Sequence, residues 1–492
     1  MKKLLFILTL ICSNFIFGQN INFLKSYGNT GYDYGRDIKQ TLDTGYIATG
    51  SSSSFLSENA DAFLLKVDSM GNFKWSYNYG GSGSDWSEKV ILTHDSSFTI
   101  AGYTNSFGAG GFDFYMVHTN HSGVPIWEKT YGGSDWDKAY SLVQLEDSGF
   151  VLVGETYSYG AGGTDIYIVR TDKFGDTLWT QTYGGLADDY AKDVILDGDS
   201  IVVVGGTNSF GAGMSDGIIL KYHIDGTLGW VKLAGKDRDD YFNSILTNED
   251  YYLLGGSRSY HNAYGCECFN DFWIYKMDKF DYSIIADTSW DGEQVGNDIV
   301  NDITINANND IFYGGSTTSW GSVDISEGKT EAFLGRMAFT YYTDATYVRN
   351  VGALGNDVIN GVEYCTDNGV VAVGTMPFTS SGGVNMFILK IDEFNTEPIS
   401  PLDMGYEDIT LSFHSQEALK DIRVFPTLTT NTVYIEGLEL LDEVFLINLN
   451  GQIIQKNIVN SNLIEISIVD NGMYFIKVVR NGQTFTRKII KN

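Results

Sequence analysis

The chain has 492 residues, 43% of them hydrophobic, which is enough to bury extensive cores, and its 32 basic and 62 acidic side chains give a formal net charge of −30. A surface this negative repels phosphate backbones and anionic lipid, so nucleic acid and membrane surfaces are excluded as expected partners, while cations and neutral polar ligands stay compatible. Four cysteines in such a length are too few for a disulfide-stapled framework.

Residues 1–18 read as a secretory signal. Lys2 and Lys3 form the basic start, Leu4 to Ile11 the apolar stretch, and the expected cut precedes Gln19. Bulky Ile11 before Cys12 argues against lipid attachment there. No other apolar run is long enough for a transmembrane span in the mature chain. Cys266, Cys268 and Cys365 then remain, read as loop cysteines with at most one bridge.

Residues 19–395 hold seven copies of a unit of about fifty residues. Its marker is an aspartate six residues after a recurring Tyr-Gly-Gly: Asp33, Asp85, Asp137, Asp189 and Asp239, then Asp298 and Asp357 in looser copies. The third copy shows four strand-like runs, ending at Tyr131, over Ala139–Leu145, over Gly149–Thr156 and over Asp165–Thr171, separated by Gly, Asp and Ser turns. Only five prolines occur, so few ladder hydrogen bonds are lost, and no long helical period is present. The fold class expected is all-β, a seven-bladed propeller of four-stranded antiparallel blades. Its phase predicts closure: Phe23–Gly28 matches an outer strand, and the last copy ends at a third strand, Met386–Asp392, so the chain's start completes its last blade.

Tyr79-Gly-Gly-Ser-Gly-Ser-Asp-Trp86 and Ile100-Ala-Gly-Tyr-Thr-Asn-Ser106 resemble the bacterial seven-bladed β-propeller repeat class, with copies five to seven drifted. Trp75, Trp127, Trp179 and Trp230 each follow a turn glycine by four residues (Gly71, Gly123, Gly175, Gly226), which resembles the tryptophan-docking pattern of quinoprotein blades. That likeness implies blade packing and not quinone chemistry.

Residues 396–420 read as a linker with one strand-like run at Ile409–Phe413. In residues 421–492, Val424-Phe-Pro-Thr427, the turn Leu449-Asn-Gly-Gln452, Asn471-Gly-Met-Tyr-Phe475 and the terminal Arg487-Lys-Ile-Ile-Lys-Asn492 resemble the type A C-terminal sorting domain of the Por, or type IX, secretion system. Thr427 and Leu428 stand where the family has the rest of a Pro-Asn-Pro. The resemblance implies a small β-sandwich, Sec export to the periplasm, and passage to the surface or medium with the type IX machinery as partner. This tail holds seven acidic and seven basic residues, so the negative charge belongs to the repeats.

Propeller geometry puts the loop before each inner strand and the loop between second and third strands on one face. The repeat assigns to that face the seven aspartates, the aromatics Tyr34, Trp86, Trp136 and Tyr190, and the Ser-aromatic-Gly-Ala-Gly loops bearing Phe107, Tyr159 and Phe210. The copy-specific insertion 260–269, with Tyr260 and Tyr264, and Trp320 in the sixth copy complete the candidate ligand face. The aspartates are read as structural turn caps, the alternative being a calcium ring. No catalytic, cofactor or metal residues are assigned, since the six histidines occupy unrelated repeat positions and acids are too many to pick a pair. The leading reading is a non-enzymatic secreted or cell-surface propeller binding a glycan or protein. A polysaccharide hydrolase or lyase, or a purely structural surface protein, are the alternatives.

Overall fold

The computed structural model describes residues 23–391, apart from 29–30, 55–58, 237, 262–267, 291–295, 320–328, 338–346, 352–355 and 378–382, and the strand segments within 407–491. The signal segment 1–18, Tyr264, Cys266, Trp320 and most of the linker lie outside the described residues. Every regular element described is a β-strand.

Six four-stranded antiparallel sheets follow one another along the chain. The third runs inner strand Asp137–Gln144, second strand Phe150–Thr156, third strand Asp165–Thr171 and outer strand Thr177–Tyr183. β-Branched and aromatic residues fill the two middle strands, which are buried almost throughout, whereas the outer strand alternates with solvent. Apolar side chains of adjacent sheets share one core: Val151, Val153, Ile166 and Ile168 of the third blade pack with Ala191, Ile201, Val203 and Ile218 of the fourth. The ring closes on the same terms, because Ile38, Ala48 and Phe63 of the first blade share a core with Val371, Val373, Met386 and Ile388 of the last.

The seventh blade takes Val358–Tyr364, Val370–Pro377 and Val384–Ile391 from the end of the repeats and Phe23–Gly28 from their beginning, with Phe23 opposite Lys390 and Tyr27 opposite Met386. The repeated tyrosine explains why this phase fits. Tyr79 and Tyr131 each donate a hydroxyl hydrogen bond to a turn carbonyl 44 residues ahead in the next blade, at Gly123 and Gly175, and Tyr27 does the same to Gly71. Those turn glycines have φ of 74–79°, and a Cβ on Gly123 or Gly175 would fall within 3.0 Å of the ring of Trp75 or Trp127. The tryptophans therefore dock on the neighbouring blade, and Phe23 takes that place at Gly71.

Two details differ from the expectation. The linker's strand begins earlier than Ile409, as Glu407–Thr410, and it pairs in parallel with Phe23–Gly28, making a fifth strand on the last blade. That edge would otherwise offer free backbone groups. In the fifth copy the repeat aspartate is Asp240 and not Asp239: Asp240 is buried and its N–H bonds Ser215 O, as Asp137 N–H bonds Phe112 O, whereas Asp239 is exposed. Asp240 stands six residues after Ala234, the end of the outer strand, as Asp189 stands six after Tyr183; the Tyr-Gly-Gly is replaced there by Ala234-Gly-Lys, and two aspartates are adjacent.

The tail forms two sheets. One orders Arg423–Phe425, Thr432–Glu436 and Leu463–Glu465; the other joins Leu428–Thr429, Gln483–Lys491, Gly472–Arg480, Glu443–Asn448 and Ile453–Ile458. Residues 449–452 themselves are outside the described residues, but Glu443 opposite Ile458 gives the hairpin they were read to turn.

Candidate functional site

Six of the seven repeat aspartates, Asp33, Asp85, Asp137, Asp189, Asp240 and Asp298, open an inner strand and tie loops of one face together. The Thr156 hydroxyl donates to Oδ1 of Asp137, while Oδ2 accepts from Ser158 Oγ at 2.7 Å and Gly133 N at 2.7 Å. Asp85 and Asp189 repeat the set with Thr104, Ser106 and Gly81, and with Thr207, Ser209 and Gly185. Asp33 accepts from Ser52 and Ser54, and Asp298 from Thr317 and Ser319. In the fifth blade, Asp240 instead accepts from the backbone of Lys236 and Ser259. All seven, Asp357 included, are buried. Among the described residues, no three His, Cys, Asp or Glu side chains group closely enough to hold a metal ion.

A second aspartate series opens the third strands. Asp113, Asp165 and Asp216 accept backbone N–H bonds from Ala109, Ala161 and Gly213, so the Gly-Ala-Gly loop wraps its own carboxylate. Burial raises the Asp113 carboxyl above its ordinary value, and Asp137 across the blade boundary adds to it. Burial and Asp189 do the same to Asp165. Gly132 separates the first pair: a Cβ there would stand 2.2 Å from Asp113 Oδ1 and 2.5 Å from Asp137 Oδ2.

The candidate aromatics divide into two groups. Phe107, Trp136, Tyr159 and Phe210 are exposed on the loop face, joined by Tyr32 and Tyr157. Tyr159 also donates to Gly132 O at 2.9 Å and lines a groove of about 580 Å³ beside Thr130, Tyr131 and Thr180. Trp86 and Tyr190, like Tyr34, come directly after their aspartates and are half-buried on the inner strands, whereas Trp136 precedes Asp137 and stands 5.1 Å from Lys138 Nζ. Trp136 is thus not the counterpart of Trp86. Tyr260 lies in the strand Tyr251–His261. Cys365 is buried and unbridged, its thiol pushed up to about 12 by burial.

The sequence reading missed the central channel. Every inner strand carries a β-bulge, three residues after its aspartate, that leaves one residue out of register: Arg36, Glu88, Tyr140, Lys192, Asn243, Asn301 and Asn360. All seven line one cavity of about 320 Å³. On one side Arg36 Nε lies 3.3 Å from Glu88, Tyr140 donates to Glu155 at 2.9 Å, and Lys192 Nζ sits 3.8 Å from the centre of the Tyr140 ring. On the other side Asn243, Asn301 and Asn360 each donate from Nδ2 to the bulge carbonyl of the next blade (Val300, Ile359 and Gly35, at 2.9, 2.8 and 2.7 Å), the last bond crossing the ring closure.

Asp37, Asp193 and Asp302 line the same cavity and accept the backbone N–H groups of Val90, Ile245 and Val362 at 2.9–3.0 Å. Burial pushes Asp37 up, but Lys39, Lys89 and the Val90 N–H outweigh it and hold the carboxyl below its ordinary value. At Asp302 burial wins over the same lysines and the carboxyl is raised. Burial likewise depresses Lys192 despite Glu155 and Glu88. A polar side chain at the same mid-strand place in all seven copies is the signal that marks this belt.

Residues 423–492 match the family described as "Secretion system C-terminal sorting domain". The regulatory protein FlaEY of Caulobacter vibrioides is 23% identical over 357 residues, covering 66% of this chain, which spans about a third of that relative's length (33%). Solved structures similar to this chain include PorZ, a surface component of the type-IX secretion system of Porphyromonas gingivalis (11% identity, TM-score 0.40, 94% of this chain and 60% of that one). Another is the β-propeller domain of the trilobed protease from Pyrococcus furiosus (13% identity, TM-score 0.41, 76% of this chain and 97% of that one). The blade order and its closure stand on the strand pairing itself. The chain is a seven-bladed β-propeller that ends in a type IX sorting domain, and that tail implies export to the cell surface or secretion.

Proposed function

We propose that this is a secreted or surface-displayed binding protein whose loop face takes an extracellular glycan. The observation that carries the reading is the grouping of exposed aromatics, Tyr32, Phe107, Trp136, Tyr157, Tyr159 and Phe210, on one face of the ring. Aromatic planes set among Ser, Asn and Gly loops suit sugar rings, which stack apolar faces and exchange hydroxyl hydrogen bonds with the surroundings. The repeat aspartates serve that face as scaffold, because their oxygens are occupied by the loops they join. The sorting tail supports an extracellular setting for such a ligand.

A glycan array probed with the mature full-length protein tests this. Binding to a defined glycan set, lost in a Phe107→Ala/Trp136→Ala/Tyr159→Ala variant that melts like the parent, is the expected outcome. An array without signal, together with capture of a surface protein by the same face, would replace the glycan by a protein partner.

A further inference from the structure

We propose that the channel belt is a second site, separate from the loop face, and that it binds one hydroxyl-rich carboxylate of the hexuronic acid class. The belt is chemically two-sided. Arg36, Lys89 and Lys192 bring three positive charges to a lining that also holds Asp37, Glu88, Asp193 and Asp302; Glu88 pairs with Arg36, Asp193 with Lys89, and Asp37 and Asp302 accept backbone N–H bonds. Lys192 Nζ contacts the ring faces of Tyr140 and Tyr190, at 3.8 and 5.2 Å, and no carboxylate pairs with it among the described residues. Glu155 and Glu88 act on this ammonium only through space, and a ligand carboxylate gives it a direct charge-assisted hydrogen bond.

The opposite side demands donors. Asn243, Asn301 and Asn360 spend Nδ2 on backbone carbonyls, which fixes each amide and leaves its Oδ1 as an acceptor. These acceptors lie on three successive blades. The inner strands belong to different sheets, so they stand farther apart than the ~4.8 Å of paired strands. One ammonium group, as in an amino acid, cannot serve all three, whereas the hydroxyls around a sugar ring are spread over such an arc. Tyr103 and Tyr140 add ring surface to the wall. The cavity, about 320 Å³, is near the lower end of the ~300–1,000 Å³ usual for ligand pockets, which suits one sugar and not a chain. A neutral sugar leaves Lys192 without a directly bonded anion, and the aspartates of the same lining are engaged elsewhere, Asp37, Asp193 and Asp302 by backbone N–H groups and Asp193 also by Lys89.

Isothermal titration of the mature full-length protein with D-glucuronate, D-galacturonate, D-glucose, L-glutamate and orthophosphate tests the assignment. One of the two hexuronates is expected to bind at least about tenfold more tightly than glucose, glutamate or phosphate, and Lys192→Gln to lose about tenfold or more of that affinity at an unchanged melting temperature. Phe107→Ala and Trp136→Ala should leave hexuronate binding intact, so the belt and the loop face succeed or fail independently. If Lys192→Gln does not fold, acetylation of Lys192 in the parent, followed by mass spectrometry, replaces it: saturating hexuronate should slow labelling about tenfold. Absence of hexuronate binding, equal binding of glucose, phosphate or glutamate, or unprotected Lys192 would each overturn the proposal.

Discussion

Asp137 and Asp113 sit on either side of Gly132 and respond to neutralisation in opposite ways. Asp137 accepts three hydrogen bonds that hold two loops. Replacing it by Asn turns one acceptor into a donor facing a donor, so Asp137→Asn should lower stability by about 1–3 kcal/mol in a denaturant titration. Added calcium should leave the melting temperature of the parent unchanged, since those oxygens are already taken; a calcium-dependent rise abolished in Asp137→Asn would make the aspartates a metal ring instead. Asp113 keeps its backbone bonds as Asn and loses its like-charged neighbour. Its carboxyl is raised by burial and by Asp137, so it binds its proton more tightly folded than unfolded. Ionising it therefore costs stability as pH rises through the folded value, and the cost vanishes below the ordinary 3.8. Asp113→Asn should melt above the parent at pH 7, and the gap should shrink as pH falls toward 4; a gap independent of pH would refute the repulsion. The first aspartate series was legible because it follows Tyr-Gly-Gly at a fixed distance. The second was missed because its meaning depends on an approach across the blade boundary, which no spacing within one repeat reveals. The exchange of Asp239 for Asp240 has another root: Ala234-Gly-Lys replaces Tyr-Gly-Gly and two aspartates stand side by side, and the backbone bond to Ser215 tells which of them opens the strand.

At the level of elements, the outer strand Phe23–Gly28 does for the last blade what Phe73–Tyr79 does for the first. It was readable beforehand, since an unmatched outer strand at the start and a missing one at the end complement each other. The bulges were not readable. A bulge changes no composition, and in copies one to four the belt residues Arg36, Glu88, Tyr140 and Lys192 look like ordinary variation at an exposed strand position. Only the register shift turns them inward together. The closing strand offers a matched test. Tyr27→Phe and Tyr79→Phe each remove a hydroxyl from a buried turn carbonyl, at Gly71 and Gly123. Both should cost about 1 kcal/mol, and equally, if the closing interface is equivalent to the others. A much smaller effect at Tyr27 would show that the ring opens there. Deleting the closing strand outright should cost far more, because the blade loses the buried side chains of Leu24 and Tyr27 and exposes an edge along Val384–Ile391.

Over the whole molecule, charge and closure separate what holds the ring from what exports it. The tail is charge-balanced and, among the described residues, contributes no strand to a blade: the closing sheet uses Phe23–Gly28 and Glu407–Thr410, both N-terminal to Asp421. Export and folding should then be separable by a cut in the right place. Removing 421–492 should leave a propeller with the melting temperature of the full chain, found in the periplasm instead of on the surface, as read by fractionation and by protection from protease added to intact cells. Cutting instead before Glu407 removes the fifth strand of the last blade as well, leaving the outer edge of Phe23–Gly28 unpaired. That shorter protein should be retained in the same way but melt lower and associate more readily, because a bare edge templates pairing with another chain. Surface display of either truncated protein would break the link between tail and export, and equal melting of the two would show that Glu407–Thr410 adds nothing to the ring.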